Sequence, residues 1–269
     1  MKCLLPRVGL AGGIDRDGSR AAELLTAGFG SVEFGTVAPD LESGHLSSVS
    51  LLTQRLAALG PRLRAVQGSA LIGVGLGLAQ GAELTALDAH WLAGLQVAWP
   101  VADYLSFNLS AAANRPLLTA PYAGLLTRTL AAVANEREWL TVDSRRRVAL
   151  TLKLPLEGPS LPAAAQMALA AGFDALIVVL PQRPERLDWL HAWAQCIDTE
   201  TQLVAVGGIR SGTDVRAALD AGASGIQVHR VFTEQGSACL LPLLAIADLK
   251  VNRKVNEIND LPTPPPRQC

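Results

Sequence analysis

The sequence has few of the features that are typical of nucleic-acid-binding proteins. Aromatic residues make up 4% of the 269 residues, and 23 basic residues stand against 24 acidic ones. So few aromatic side chains offer little surface on which bases could stack. A net charge of −1 gives no general attraction for a polyanion or an anionic membrane. The composition therefore argues against nucleic acid and membranes as partners.

The sequence also lacks long apolar runs and patterned cysteines. No window reaches the roughly 18 continuous apolar residues that a membrane span needs, and the first residues, MKCLLP, contain no segment long enough for a signal peptide. The four cysteines share no spacing typical of a metal site or a disulfide framework: Cys3, Cys196, Cys239 and Cys269. We expect a cytoplasmic protein with reduced thiols and no metal ion.

What the chain does contain is a regular alternation of short apolar runs and amphipathic segments, and its 49% hydrophobic residues can fill a sizeable core. This pattern predicts an α/β protein, a single (β/α)8 TIM barrel over residues 1–250. The predicted strands are 8–11, 31–34, 70–74, 104–107, 148–152, 175–179, 203–206 and 225–230. The predicted helices are 19–27, 51–63 with a break at Gly60-Pro61, 84–98, 122–135, 161–171, 185–196 and 211–222.

Two segments near the end of the chain have distinct predicted roles. The seventh apolar run stops at Gly207-Gly208, and in such barrels the loops after strands seven and eight commonly form a phosphate site. Residues 251–269 are polar and then proline-rich, so we expect an extended, poorly ordered tail. The loop prediction for residues 41–50 rests on the absence of any helical periodicity there.

Candidate site residues follow from the barrel, because the strand C-terminal ends carry the active sites of this fold. Lys153 directly follows the fifth strand, where it could offset negative charge on a ligand, act as a nucleophile, or simply extend into solvent. Asn108 suits the edge of a planar heterocycle or a turn, and Thr36 could hold a ligand oxygen. Ser110 is the nearest hydroxyl to Asn108.

Two pairs of charged or titratable residues complete the candidates. Asp15 and Arg16 follow the first strand and could face a ligand or pair with each other or with neighbouring residues. His229 and Arg230 follow the last strand, where they could bind a phosphate or form a solvated pair at the rim.

In order along the chain, the segments VGLAGGIDRDG, GFGSVEFGTVAP, ADYLSFNLS, VALTLKLP and VAVGGIRSGTDVRAALDAGASGIQVHRVFTEQG resemble the dihydroorotate dehydrogenases. They span roughly residues 8 to 236, and the first and last are the most specific. The resemblance implies a TIM barrel that binds flavin mononucleotide (FMN). It implies that Gly12, Gly13 and Asp15 line the flavin and that Thr36 and Asn108 contact it. Lys153 would lie by the N1–C2 edge, and Gly207-Gly208 and the backbone after Val228 would hold the phosphate.

The sequence departs from that family where the family recognises orotate. The family motif Asn-x-Ser-[Ser/Cys]-Pro-Asn carries the catalytic base at its fourth position, and this chain has Ala111 there and Ala113 in place of the asparagine. Arg16 replaces a lysine, Gly75 replaces an asparagine, and the glycine-rich loop after strand six is missing. Each buried polar group left unpaired costs about 1–3 kcal/mol, so orotate binding should be lost.

We therefore expect an FMN-dependent oxidoreductase that acts on a different heterocyclic small molecule in a biosynthetic pathway. Lys153, Arg16 and Ser110 are the predicted catalytic residues, and a homodimer is possible. Two alternatives stay open at this point. One is a flavin-free barrel enzyme that uses Lys153 as a Schiff-base nucleophile or binds a sugar phosphate at Gly207-Gly208 and His229-Arg230. The other is a non-catalytic barrel that acts through a partner.

Overall fold

A computed structural model of the chain describes residues 8–41, 47–64 and 70–245. Within these ranges eight parallel strands close into one barrel in sequence order, with β1 paired to β8. The strands are β1 Val8–Leu10, β2 Ser31–Val37, β3 Leu71–Leu76, β4 Tyr104–Asn108, β5 Ala149–Pro155, β6 Ala175–Val179, β7 Gln202–Val206 and β8 Gly225–Val228. The predicted (β/α)8 barrel is confirmed. The predicted tail at 251–269 lies outside the described residues.

A helix follows each strand and packs on the outside of the barrel. The helices are α1 Ala21–Leu25, α2 Ser48–Arg64, α3 Leu87–Ala98, α4 Ala123–Ser144, α5 Ala163–Ala170, α6 Arg186–Cys196, α7 Gly212–Asp220 and α8 Arg230–Gln235. Their inward faces and the outward faces of the strands form one large buried cluster that includes Trp91, Phe107 and Trp193. This outer layer holds most of the core, as the alternation of apolar runs predicts.

Several predicted boundaries were wrong, including the ends of β2 and β5, which both extend three residues beyond the predicted ends. The helix predicted at 51–63 begins at Ser48 inside the predicted loop, and it continues through Gly60-Pro61 to Arg64. Only three residues follow Pro61, so the N–H that proline lacks affects the last turn alone. The helix predicted to end at residue 135 continues to Ser144, because Arg137 on its polar stretch is buried against the barrel. His229 and Arg230 lie at the start of α8, beyond the end of β8.

The barrel interior is filled unevenly. A small cluster of inward-facing residues fills part of it, including Tyr104, Ile177 and Val204. The Tyr104 ring occupies the space beside Gly73, where any Cβ would overlap the ring. A Cβ at Gly9 would likewise overlap Ser31 Oγ, so these glycines make room for neighbouring side chains inside the barrel.

The opposite end of the barrel is held by a buried ion-pair network. The Asp174 carboxylate accepts hydrogen bonds from Arg137 Nη1 at 3.0 Å, Arg147 Nη2 at 2.7 Å and the Leu150 N–H at 2.9 Å. Arg137 Nη1 also donates to the Gly172 carbonyl at 3.1 Å. The network ties α4 to the start of β5 and the turn before β6. Because it lies at the N-terminal ends of the strands, it serves stability, since active sites of this fold lie at the other face.

Candidate active site

A cavity of about 1280 Å³ opens at the C-terminal ends of the strands. Its walls contain the strand ends and βα loops of several units, and glycines form much of the inner surface. Without side chains, these positions let the backbone approach a ligand closely. The inner part is lined by Ala11, Gly12, Gly13, Thr36, Gly77, Asn108, Lys153, Val179, Val206, Gly207 and His229.

The floor of the cavity is a buried ion pair between two strands on different sides of the barrel. Lys153 Nζ on β5 donates to Glu33 Oε1 on β2 at 2.9 Å, and the two side chains are 9% and 2% exposed. Gln227 Nε2 on β8 lies 3.2 Å from Glu33 Oε2 and 3.3 Å from the Tyr104 hydroxyl. The side chains of Lys153 and Glu33 are therefore held in one orientation by these hydrogen bonds. Lys153 is not a solvent-exposed lysine.

The Glu33 carboxylate depends on neighbouring glycines for its space. A Cβ at Gly12 would lie 2.8 Å from Glu33 Oε1, and one at Gly75 would lie 3.4 Å from the same atom. The carboxylate also acts on the residue below it. Burial, together with the nearby Glu33 charge, raises the pKa of Tyr104 well above its usual range. The Tyr104 hydroxyl therefore stays protonated at neutral pH, and Glu33 and Lys153 carry the charges at the floor.

The β4 loop is organised around Asn108. Its Oδ1 accepts hydrogen bonds from the Ser110 N–H at 2.9 Å and the Ser110 hydroxyl at 2.7 Å, and its Nδ2 donates to Thr36 Oγ1 at 2.9 Å. Asn114 Nδ2 donates to the Asn108 carbonyl at 2.8 Å. An amide oxygen accepts a hydrogen bond but is not basic enough to remove a proton from a hydroxyl. Asn108 therefore cannot activate Ser110 as a base would. Asn114 fixes this loop and was missed from sequence, although it follows directly on the three alanines.

The β1 loop places the two neighbouring candidates, Asp15 and Arg16, in different surroundings. The Asp15 carboxylate is buried and accepts hydrogen bonds from the N–H groups of Asp17, Gly18 and Arg20, at 2.8–3.1 Å. Asp15 therefore shapes the turn and does not line the cavity. Arg16 is exposed and does line it. Within the described ranges Arg16 forms no ion pair, so its charge faces the cavity mouth without a protein counter-ion.

His229 lies on the opposite wall, next to the β1 loop. A Cβ at Gly13 would lie 3.1 Å from His229 Nε2. Partial burial lowers the pKa of His229, and the positive charges of Lys153 and Arg230 lower it further. The imidazole is therefore neutral at pH 7, and it can accept a proton or a hydrogen bond from a ligand.

We expect the His229 imidazole to titrate below its ordinary value of 6.5. The folded state then binds fewer protons than the unfolded chain, so the stability contributed by His229 is present above pH 6.5 and is lost as the pH falls through the lowered pKa. Imidazole NMR shifts recorded against pH measure this value. Arg230→Gln removes one repelling charge and should move the pKa back toward 6.5, whereas a wild-type value at or above 6.5 would contradict the geometry.

Comparison with known proteins places this cavity in context. No family model matches the chain. The dihydroorotate dehydrogenase (quinone) of Methylococcus capsulatus is 27% identical over 272 residues, which cover 87% of this chain and 80% of that protein. The dihydroorotate dehydrogenase (quinone) of Alkalilimnicola ehrlichii is 27% identical over 277 residues, which cover 88% and 81%.

The similarity covers 87–88% of the chain. The chain is thus similar to the dihydroorotate dehydrogenases over most of its length, at 25–27% identity. A crystal structure of DHODH from Eimeria tenella in complex with ferulenol has the same fold, with a TM-score of 0.74 at 21% identity over 94% of this chain and 83% of that one.

Most of the predicted site residues come together at this cavity. The cavity is lined by Gly12, Gly13, Arg16, Thr36, Asn108, Ser110, Lys153, Gly207 and His229. Three predicted residues do not line it: Asp15, Gly208 and Arg230. Asp15 is engaged with backbone N–H groups, and Arg230 is exposed at the start of α8. Gly208 lies under the Arg186 side chain.

The divergence is visible in the cavity itself. Ala111 and Ala113, which stand where the family motif has its base and an asparagine, both line the cavity. The same outer part is lined by Pro39, Leu41, Leu78 and Leu84. At positions 111 and 113 the cavity surface therefore presents methyl groups.

No group of three or more histidine, cysteine, aspartate or glutamate side chains is arranged to hold a metal ion in the ranges that the structure describes. Across those ranges no single helix has both the length and the apolar character to cross a membrane. The segments Ala112–Leu118 and Ala120–Ser144 are long and apolar enough only when they are taken together, and the chain bends by 75° between them.

Proposed function

We propose that the chain is an FMN-dependent oxidoreductase that acts on a small heterocyclic molecule less polar than dihydroorotate. The observation that carries the proposal is the floor of the cavity, where a fixed lysine ammonium lies at the base of a space walled by glycines. A planar ring system needs this kind of flat, side-chain-free wall. The residues present therefore fit the flavin that the family resemblance implies.

Lys153 would hold the electron-rich edge of the ring system, because its ammonium is the buried cation of the floor. Glu33 accepts a hydrogen bond from that ammonium, and Gln227 in turn donates to the Glu33 carboxylate. Thr36 and Asn108 would position the ring from the side of β2 and β4, where their side chains already bond each other. When bound, FMN would supply the capacity to accept a hydride from the substrate.

The outer part of the cavity supports a substrate other than dihydroorotate. Alanines at positions 111 and 113 cannot transfer a proton or bind a polar ring edge. Arg16 and His229 are two polar groups of the lining that can meet a substrate, one as a permanent cation and the other as a neutral imidazole. Because Ser110 has no activating base, we assign proton transfer to His229 ahead of Ser110.

Neither alternative gains support from the structure. A Schiff-base nucleophile must present a free amine, whereas Lys153 Nζ is engaged with Glu33. A barrel that acts only through a partner gives no reason for a buried ion pair beneath an open cavity of about 1280 Å³. The proline-rich tail on which that alternative rests lies outside the described residues.

The visible absorption spectrum of the purified full-length chain tests the proposal. We expect flavin bands, present on purification or gained on incubation with FMN and retained through gel filtration. Dihydroorotate should leave the bound flavin oxidised, while dithionite bleaches it. A chain that gains no flavin bands would refute the cofactor, and bleaching by dihydroorotate would refute the altered substrate.

A further inference from the structure

The segment between β6 and α6 closes tightly over the end of β7. The Leu180 N–H donates to the Val206 carbonyl at 2.7 Å, and a Cβ at Gly207 would lie 3.1 Å from the Leu180 carbonyl oxygen. Residues 180–185, LPQRPE, contain no glycine and two prolines. This segment therefore offers no flexible backbone cradle for an anion at a corner where barrels of this kind commonly bind phosphate.

Arg186, the first residue of α6, reaches into that corner. A Cβ at Gly208 would overlap the Arg186 guanidinium and lie 3.3 Å from its Cζ. Within the described ranges this guanidinium makes no hydrogen bond. The nearest carboxylate, Asp214, has Oδ1 4.0 Å from Nη2. Asp214 Oδ2 already accepts from the Ser211 N–H, the Ser211 hydroxyl and the Arg210 N–H. Arg186 thus keeps its donors available.

The corner also adjoins the cavity. Val179, Val206 and Gly207 line the cavity on this side. The N–H groups of Gly208 and Ile209 donate to no other group in the part of the chain that the structure describes. A guanidinium fork beside free backbone N–H groups is the arrangement that binds a phosphate through paired hydrogen bonds.

We propose that Arg186 binds the phosphate of the phosphorylated cofactor and makes the chain prefer a phosphomonoester to its dephosphorylated form. The inference rests on the proposed function, because it takes the cofactor in the cavity to be FMN. The phosphate contact is thereby assigned to the Arg186 side chain. The β6–α6 segment offers no backbone cradle for it, and Arg230 is exposed at the start of α8.

The test compares two flavins that differ only in the phosphate. The full-length chain, freed of bound flavin, is titrated with FMN and with riboflavin, and binding is followed by quenching of flavin fluorescence. Arg186→Met removes the fork, and Arg186→Lys keeps the charge without it. Arg210→Met is the matched control, because it removes a charge from the neighbouring β7–α7 loop, where Arg210 pairs with Glu234.

We expect Arg186→Met to weaken FMN binding by roughly 10–100-fold and to leave riboflavin binding within about twofold. Arg186→Lys should fall between wild type and Arg186→Met, and Arg210→Met should bind both flavins as wild type does. Unchanged FMN affinity in Arg186→Met would overturn the inference. An equal loss for riboflavin, with or without a lowered melting temperature, would also overturn it.

A parallel melting experiment with excess inorganic phosphate separates this inference from the proposed function. In one outcome the wild type binds neither flavin, while phosphate raises the melting temperature of the wild type and not that of Arg186→Met. That result would support the phosphate site and refute the flavin. If FMN bound well and Arg186→Met changed nothing, the flavin would stand and the role of Arg186 would fall.

Discussion

Replacing Lys153 with methionine is expected to lower the free energy of unfolding by about 3–5 kcal/mol, because the substitution leaves Glu33 as a buried charge without its partner. The side chains are 9% and 2% exposed, so water cannot take over the role of the ammonium. Denaturant unfolding of the two proteins measures the difference.

A second variant separates loss of the charge pair from loss of packing. Lys153→Met combined with Glu33→Gln removes both charges, and we expect it to recover most of the lost stability, since a neutral amide can still accept from Gln227. A loss below about 0.5 kcal/mol in the single variant, as at an ordinary surface position, would show that Lys153 is solvated and that the floor of the cavity is misassigned.

Replacing Asp174 with alanine is expected to cost about 2–4 kcal/mol at the other end of the barrel. The substitution removes the acceptor for two arginines and for the Leu150 N–H, and it leaves the Arg137 side chain, 6% exposed, with the exposed Glu138 as its remaining ion-pair partner. The midpoint of denaturant unfolding should fall accordingly, while FMN affinity measured below that midpoint should not change.

Asp143 provides the control for Asp174. It is an exposed residue of α4, and Asp143→Ala should change the free energy of unfolding by less than about 0.5 kcal/mol. If Asp174→Ala weakened FMN binding at full folding, the two faces of the barrel would not divide stability from ligand binding as the position of the network indicates.

The architecture was predictable because each strand carries its own signal. Apolar runs of strand length that end at glycine or a polar residue recur eight times, and the cavity lies where those ends meet. Lys153 and Asn108 could be placed at the mouth for the same reason. The helix boundaries were less accessible, since the length of α4 depends on a tertiary ion pair between Arg137 and Asp174 that local sequence does not reveal.

The partners of the site residues were not predictable. Glu33 is an acidic residue inside an apolar strand, which is a signal in itself, yet its partner Lys153 lies 120 residues away and only barrel closure joins them. Asp15 carries the same charge but serves backbone N–H groups of its own turn. Arg186 is the first residue of α6, and nothing in the local sequence indicates that its side chain lies over Gly208.

A crystal structure of the full-length chain grown with FMN tests the central claim most directly. We expect the ring system on the glycine wall with its edge at Lys153 Nζ, and the phosphate at the end of β7. A map in which Lys153 turns away from the ring, or in which side chains fill the space above Glu33 and FMN binds elsewhere, would contradict it.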